Sequence, residues 1–249
     1  MREWLAMVRA VCRREFAAYF ATPLAYVFLC VFLIAAAACT FQLGGFYERD
    51  QADLEPFFTF HPWLYLLLVP AVSMRTWAEE RATGSLELLL TLPLGRGAAV
   101  IGKFLAGFGF LALALALTFP IWLTVNYLGE PDNGAILAAC LGSLALAAAF
   151  LAIGSCLSAL TRSQVVAFVL TVAVCFLLLL AGHPLVLDAF RSWAPPMLVD
   201  GIAAMSFLTH FEAISRGVID LRDVLYFAAT VGTSLYATTL VLEQAQVDP

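Results

Sequence analysis

The chain has 249 residues, of which 63% are hydrophobic and 12% are charged, and its mean hydropathy is +0.93. A soluble domain usually carries about 25% charged residues, and a water-soluble protein of this length could not bury so much apolar surface. The composition therefore indicates an integral membrane protein. The formal net charge of −5 provides no basic surface for nucleic acid.

The first 22 residues form a predicted amphipathic helix that is too charged to span a membrane and is suited to the interface. Thr22-Pro23 ends it. Glu15 lies on its apolar side, which we interpret as pairing with an arginine or facing water rather than a second subunit. The apolar side carries Trp4, Leu5, Val8, Val11, Cys12, Phe16 and Tyr19, and the opposite side carries Arg2, Glu3, Arg9, Arg13 and Arg14.

Six apolar runs follow, each long enough to cross the hydrocarbon, which takes about 20 helical residues. They lie at about 24–46, 57–77, 98–127, 135–160, 165–187 and 223–242. We therefore predict one all-α membrane domain over residues 1–249: an elbow helix at 1–22, spans one to five within 24–187, an outer segment at 188–222 and a sixth span at 223–242.

The basic residues predict which side of the membrane each loop occupies. With the N-terminus inside, nine arginines and lysines fall on the inner side and four on the outer side. Six spans return the C-terminus to the inner side. The longest inner loop then runs from Met74 to Gly97.

This inner loop is predicted to bind a soluble partner. Gly84 is the expected N-cap of a short helix at 85–92 that Pro93 ends. An apolar ridge with charged ends is typical of a helix that docks in a groove, whereas a helix resting on anionic lipid would be disfavoured by the glutamates. The predicted docking residues are Glu79, Glu80, Arg81, Gly84, Ser85, Leu86, Glu87, Leu89, Leu90 and Pro93.

No catalytic, cofactor or metal residue is predicted on this chain. The run from Gly97 to Lys103 approaches a phosphate-binding loop, but Phe104 replaces the hydroxyl that would bind magnesium. We expect Lys103 instead to extend to the inner membrane surface. His61, His183 and His210 are far apart in the sequence, and the six cysteines contain no C-x-x-C motif.

Three stretches resemble the permeases of ABC-2 type transporters, most closely the gliding-motility-type branch, with the nitrous-oxide-reductase maturation permeases nearby. The first is Pro70 to Pro93 followed by Gly102-Lys103. The others precede the first and last spans, and they are Arg14-Glu15-Phe16 with Tyr19-Phe20, and Ser206 to Glu212 with Arg216 to Asp220. This chain has Gly84-Ser85 where the family usually has Gly-Thr, which keeps the hydroxyl.

The resemblance implies six spans, an elbow helix around Arg14, Glu15 and Phe16, and a coupling helix after span two that inserts into a cytoplasmic ABC ATPase. Two permease copies, identical or paralogous, would pair with two ATPases, which would bind the ATP and magnesium. It also implies that the outer segment can act as a gate, although a surface helix explains it equally well. The gate candidates are His210, Phe211, Glu212, Arg216 and Asp220.

The function expected on this basis is that of a non-catalytic permease subunit, most simply of an exporter, in the inner membrane and in contact with lipid. Two alternatives stay open. One is a device that uses ATP to act on a periplasmic partner without moving a solute, and the other is a membrane anchor that meets no ATPase. Small residues at i,i+4 on the fourth span, including Ala138/Gly142 and Ala145/Ala149, suit close helix packing.

Overall fold

The computed structural model describes residues 2–49, 51, 53–86, 95–183, 186–188 and 195–247, and all regular structure in these ranges is helical. A π-helix, Cys39–Leu43, continues the second helix. The α-helices are α1 (Arg2–Phe20), α2 (Pro23–Ala38), α3 (Glu55–Thr59), α4 (His61–Ser73), α5 (Arg75–Thr83), α6 (Arg96–Ala116), α7 (Phe119–Leu128), α8 (Asn133–Leu160), α9 (Gln164–Leu180), α10 (Pro196–Ala204), α11 (Phe207–Ser215) and α12 (Leu221–Val247).

Within the described part of the chain, four helical stretches are long and apolar enough to cross a membrane: Pro23–Leu43, Arg96–Leu128, Asn133–Leu160 and Leu221–Ala245. They coincide with the first, third, fourth and sixth predicted spans, so the expectation of an all-helical membrane protein is confirmed at this level. The predicted fifth span contains α9, a shorter apolar helix. The predicted second span is divided among α3, α4 and α5.

Two further predicted spans also differ from the expected helices. The third is interrupted at Thr118, whose hydroxyl donates to the Leu115 carbonyl at 2.6 Å, and Pro120 then occupies the first turn of α7. The fifth ends at Leu180 rather than near residue 187. There Gly182 is in such close contact with Ser206 and Thr209 that a β-carbon would overlap their side chains.

The long helix α8 lies at the centre of the bundle and contacts α4, α5, α6, α9, α11 and α12. Its glycines allow close approach: a β-carbon at Gly142 would lie 2.7 Å from Ile214, and one at Gly154 would overlap the Ser73 side chain. Tyr65 of α4 is fully buried and its hydroxyl lies 2.8 Å from the Ser143 hydroxyl of α8. The small residues of this helix therefore serve packing within the chain.

The elbow helix α1 packs along α6 through its buried Val8 and Val11. A β-carbon at Gly102 of α6 would lie 2.8 Å from the Val11 side chain, so this contact requires glycine. Glu15 pairs with its neighbour Arg14 at 2.6 Å. The interpretation of Glu15 as the partner of an arginine is confirmed.

Candidate functional site

The predicted docking segment begins on α5, which continues the second predicted span. Glu79, Glu80 and Arg81 lie on this helix. Gly84 ends it with φ +72°, the left-handed conformation that favours glycine at a helix C-terminus. Helical residues Ser85 and Leu86 follow Gly84 directly, and the predicted role of Gly84 as the N-cap of a helix at 85–92 stays a prediction. Glu87, Leu89, Leu90 and Pro93 lie outside the described residues.

A serine from α8 bridges the junction between α4 and α5. The Ser158 hydroxyl accepts hydrogen bonds from the backbone N–H groups of Trp77 at 3.1 Å and Ala78 at 3.0 Å. It also donates to the Met74 carbonyl at 3.0 Å. The N–H groups of a helix's first turn have no partner within the helix, so Ser158 supplies the cap for α5 from another span.

Trp77 anchors α5 in the interior. Its side chain is fully buried, and its indole N–H donates to the Ser155 hydroxyl at 2.9 Å. It belongs to a cluster that joins α5 to three of the membrane-span candidates and consists of Trp77, Leu86, Ala99, Val100, Ala159 and Leu242. Leu86 was expected on the partner-facing ridge, but it is 5% exposed and packs into this cluster.

Lys103 of α6 binds three groups on α5. The expectation that it extends to the membrane surface is wrong. Its ammonium lies 2.6 Å from Glu80 Oε1, donates to the Thr76 carbonyl at 2.7 Å and sits 4.4 Å from the centre of the Trp77 ring. The lysine side chain is only 4% exposed. These partners satisfy the charge inside the chain and leave no reason for it to reach water.

Two further arginine contacts shape the same face. Arg75 donates to Glu79 at 2.8 Å, and this hydrogen bond lowers the pKa of the Glu79 carboxyl. The pKa of Arg81 is lowered by partial burial and by the like charge of Arg162. The positive charge of Arg162 therefore acts on Arg81 near the exposed end of α5, where Thr83 and Ser85 are also exposed. This surface suits an acidic partner.

The predicted gate residues divide into a buried pair and an exposed group. His210 and Phe211 are buried in the bundle, whereas Glu212, Arg216 and Asp220 are exposed. Asp220 lies beyond this helix, because α11 ends at Ser215 and Gly217, with φ +86°, turns the chain before Asp220. Arg216 approaches Glu212 at 3.9 Å.

His210 also binds a residue that the sequence analysis did not single out. Its Nδ1 lies 2.5 Å from Asp223 Oδ1, its Nε2 lies 3.1 Å from the Ala204 carbonyl, and its ring stacks on Tyr226. Both ring nitrogens face acceptors, so the imidazole makes both bonds when it is doubly protonated. These bonds fasten α11 to the start of α12. The spacing of His210 and Asp223 carries no recognisable motif.

The near-match to a phosphate-binding loop lies entirely within α6, which begins at Arg96. All of its residues are helical, whereas such a site needs a loop at this position. Within the described ranges, no three His, Cys, Asp or Glu side chains are placed to hold a metal ion. Sequence reasoning also missed the contacts of Lys103 with α5. The available signal for such contacts is an ionisable residue inside an apolar run.

The polar groups described above therefore connect helices to one another: α5 to α6 and α8, and α11 to α12. A family model described as ABC-2 family transporter protein matches residues 64–218, which is more than half of the chain. No curated protein matches the chain. The matched region contains the α4–α5 junction, Lys103, Ser158 and the buried His210. This chain belongs to the ABC-2 family of transporter proteins.

Proposed function

We propose that the chain is the permease subunit of an ATP-driven exporter in the inner membrane, with six spans and both termini on the inner side. A separate cytoplasmic ABC ATPase binds the ATP and magnesium, and a second permease copy or a paralogue completes the pathway. Family membership supports the permease role. The distribution of nine basic residues inside and four outside supports the orientation.

The observation that carries this proposal is the attachment of α5 to the spans. Lys103 ties α5 to α6, and Ser158 ties it to α8. The Trp77 cluster adds Leu242 of α12. A force applied to the inner loop therefore reaches three membrane-span candidates through buried contacts, which is what a helix driven by a partner's ATP cycle requires.

The docking surface is formed by the end of α5 and the short helix predicted at 85–92. Arg81 and Arg162 provide positive charge at its edge, and Leu89 and Leu90 provide the apolar ridge predicted from the sequence. Leu86 anchors the segment to the bundle instead of contacting the ATPase. A groove with an acidic rim on the ATPase complements these features.

Copurification tests this function directly. The tagged permease is coexpressed with the ATPase encoded beside it, extracted in mild detergent and captured. Leu89→Asp places a charge on the apolar ridge and should remove the ATPase from the captured complex while leaving membrane insertion intact. The matched control is Leu221→Asp, because Leu221 is 70% exposed at the start of α12, on the opposite side of the membrane in this arrangement.

Each outcome is informative. Full ATPase recovery with Leu89→Asp would place the docking surface elsewhere. Loss of the ATPase with the control as well would show that the charge acts through general destabilisation. If the unmodified permease recovers no ATPase, the chain is a membrane anchor rather than a permease subunit.

A further inference from the structure

A cavity of about 130 Å³ lies where the elbow helix meets the first two predicted spans. Its walls come from α1, the start of α2 and the α4–α5 junction. Part of its lining is apolar and includes Ala25, Phe28 and Val72. The lining also includes the charged groups Glu15, Arg75 and Glu79. A lining that combines apolar and charged groups fits an amphiphile at the membrane interface.

The charges around the cavity are mixed rather than of one sign. Arg75 is paired with Glu79 at 2.8 Å, and Glu15 is paired with Arg14 at 2.6 Å. Arg14 is not part of the cavity wall, so the lining itself contains two carboxylates and one guanidinium. This set complements a headgroup that has both a cation and an anion, with the cation meeting the two carboxylates.

Tyr19 adds a polar group to the cavity lining. Its ring stacks on Phe110 with the centroids 5.1 Å apart, and its residue lines the cavity. Burial raises the pKa of Tyr19, Glu15 raises it further and Arg75 opposes them, so the phenol stays protonated. A protonated phenol can donate a hydrogen bond to an acceptor on a ligand.

We propose that this cavity binds the headgroup of a zwitterionic phospholipid that carries a primary amine. The ammonium group donates hydrogen bonds to Glu15 and Glu79, while the phosphate accepts from Tyr19 and Arg75. The acyl chain lies against the apolar part of the lining near Phe28. A trimethylated amine has no N–H to donate, and an uncharged glycerol headgroup offers no cation, so both should bind less tightly.

The inference can be tested by lipid binding to the full-length, delipidated permease in native mass spectrometry. The probes share the same acyl chains and differ in the headgroup: phosphatidylethanolamine, its mono- and dimethylated forms, phosphatidylcholine and phosphatidylglycerol. Affinity should fall with each N–H removed, to about one tenth for phosphatidylcholine, since the hydrogen bonds involve charged groups. Soluble glycerophosphoethanolamine should compete only weakly, because the apolar part of the lining contributes to lipid binding.

Three variants complete the test. Glu15→Gln removes the charge and Tyr19→Phe removes only the hydroxyl, and each should lower the affinity for phosphatidylethanolamine and reduce its advantage over phosphatidylcholine. Glu3→Gln, on the exposed part of the same helix, should change neither quantity. Equal affinity for all headgroups, or unchanged selectivity in Glu15→Gln, would overturn the proposal. Strong competition by the soluble headgroup would assign the cavity to a free phosphoamine instead of a lipid.

Discussion

Lys103 of α6 and Glu80 of α5 form an ion pair at 2.6 Å in which the lysine side chain is 4% exposed and the glutamate side chain 19% exposed. The second carboxylate oxygen of Glu80 is enclosed and has no hydrogen-bond partner within the described part of the chain. The negative charge of the Glu80 carboxylate is therefore compensated by Lys103. Lys103 is in turn held by the Thr76 carbonyl, so it connects two turns of α5.

Replacing one member of this pair should be more damaging than replacing both. Lys103→Met leaves an uncompensated carboxylate and should lower the free energy of unfolding by about 3 kcal/mol. Adding Glu80→Gln should restore part of that loss. The control, Arg49→Gln, breaks the exposed pair with Glu55 and should change stability by less than about 1 kcal/mol. Denaturation in mild detergent measures Lys103→Met, Glu80→Gln, the double variant and Arg49→Gln. Simple additivity of the changes at Lys103 and Glu80 would contradict a direct interaction between the two side chains.

Ser158→Ala should destabilise the α4–α5 junction. The change removes the acceptor for the Trp77 and Ala78 backbone N–H groups and the donor to Met74. Leaving these buried groups without partners costs about 1–3 kcal/mol. Ser155→Ala removes only the bond from the Trp77 indole and should have the smaller effect. Unfolding measurements on both variants decide the order, and a larger effect of Ser155→Ala would refute the capping role of Ser158.

Gly154→Ala should disrupt the contact between α8 and α4, because its β-carbon would overlap the Ser73 side chain and crowd Thr171. Overpacking of this kind costs about 1–3 kcal/mol. The matched control is Gly232→Ala on α12, where a β-carbon meets nothing within 4 Å and alanine should favour the helix. Thermal unfolding should therefore move in opposite directions for the two variants. Equal stability of both would show that α8 and α4 can separate freely at this position.

The proposed orientation predicts which loops face the outside. Glu212→Cys and Ser85→Cys each place a thiol at an exposed position. The predicted orientation puts position 212 on the outer side of the membrane and position 85 on the inner side. A membrane-impermeant maleimide added to cells with a permeabilised outer membrane should label Glu212→Cys at once. Ser85→Cys should react only after the inner membrane is broken, and the unmodified chain serves as the blank. Labelling of Ser85→Cys in intact cells would invert the topology and exclude cytoplasmic docking.

Hydropathy predicts the helices well because each span must satisfy its own backbone hydrogen bonds and present apolar side chains to lipid. The sequence alone therefore places α8 and α12 within a few residues. The close approach of Ser206 and Thr209 to Gly182, just after the end of α9, is a different case. That contact joins residues distant in sequence, and no local pattern contains it.

The candidate site shows the same division. The charge distribution, Gly84 and Pro93 predict that the site lies in the inner loop. They do not predict which helices contact α5. Ser158 and Lys103 contact α5 from separate helices, and their roles depend on how those helices are rotated. Leu86 illustrates the consequence: helical periodicity puts it on an apolar face, but only packing decides that this face meets Trp77 rather than a partner.

Consecutive residues of α6 hold two different elements, since Gly102 accommodates Val11 of α1 and Lys103 binds Glu80 of α5. Any axial displacement of α5 is therefore shared with α1. In the proposed arrangement, α1 lies among the lipid headgroups, so such a displacement would also push lipid aside. The work of each proposed ATP-driven stroke would then include a contribution set by the lateral pressure of the surrounding membrane, which would make lipid composition a determinant of turnover.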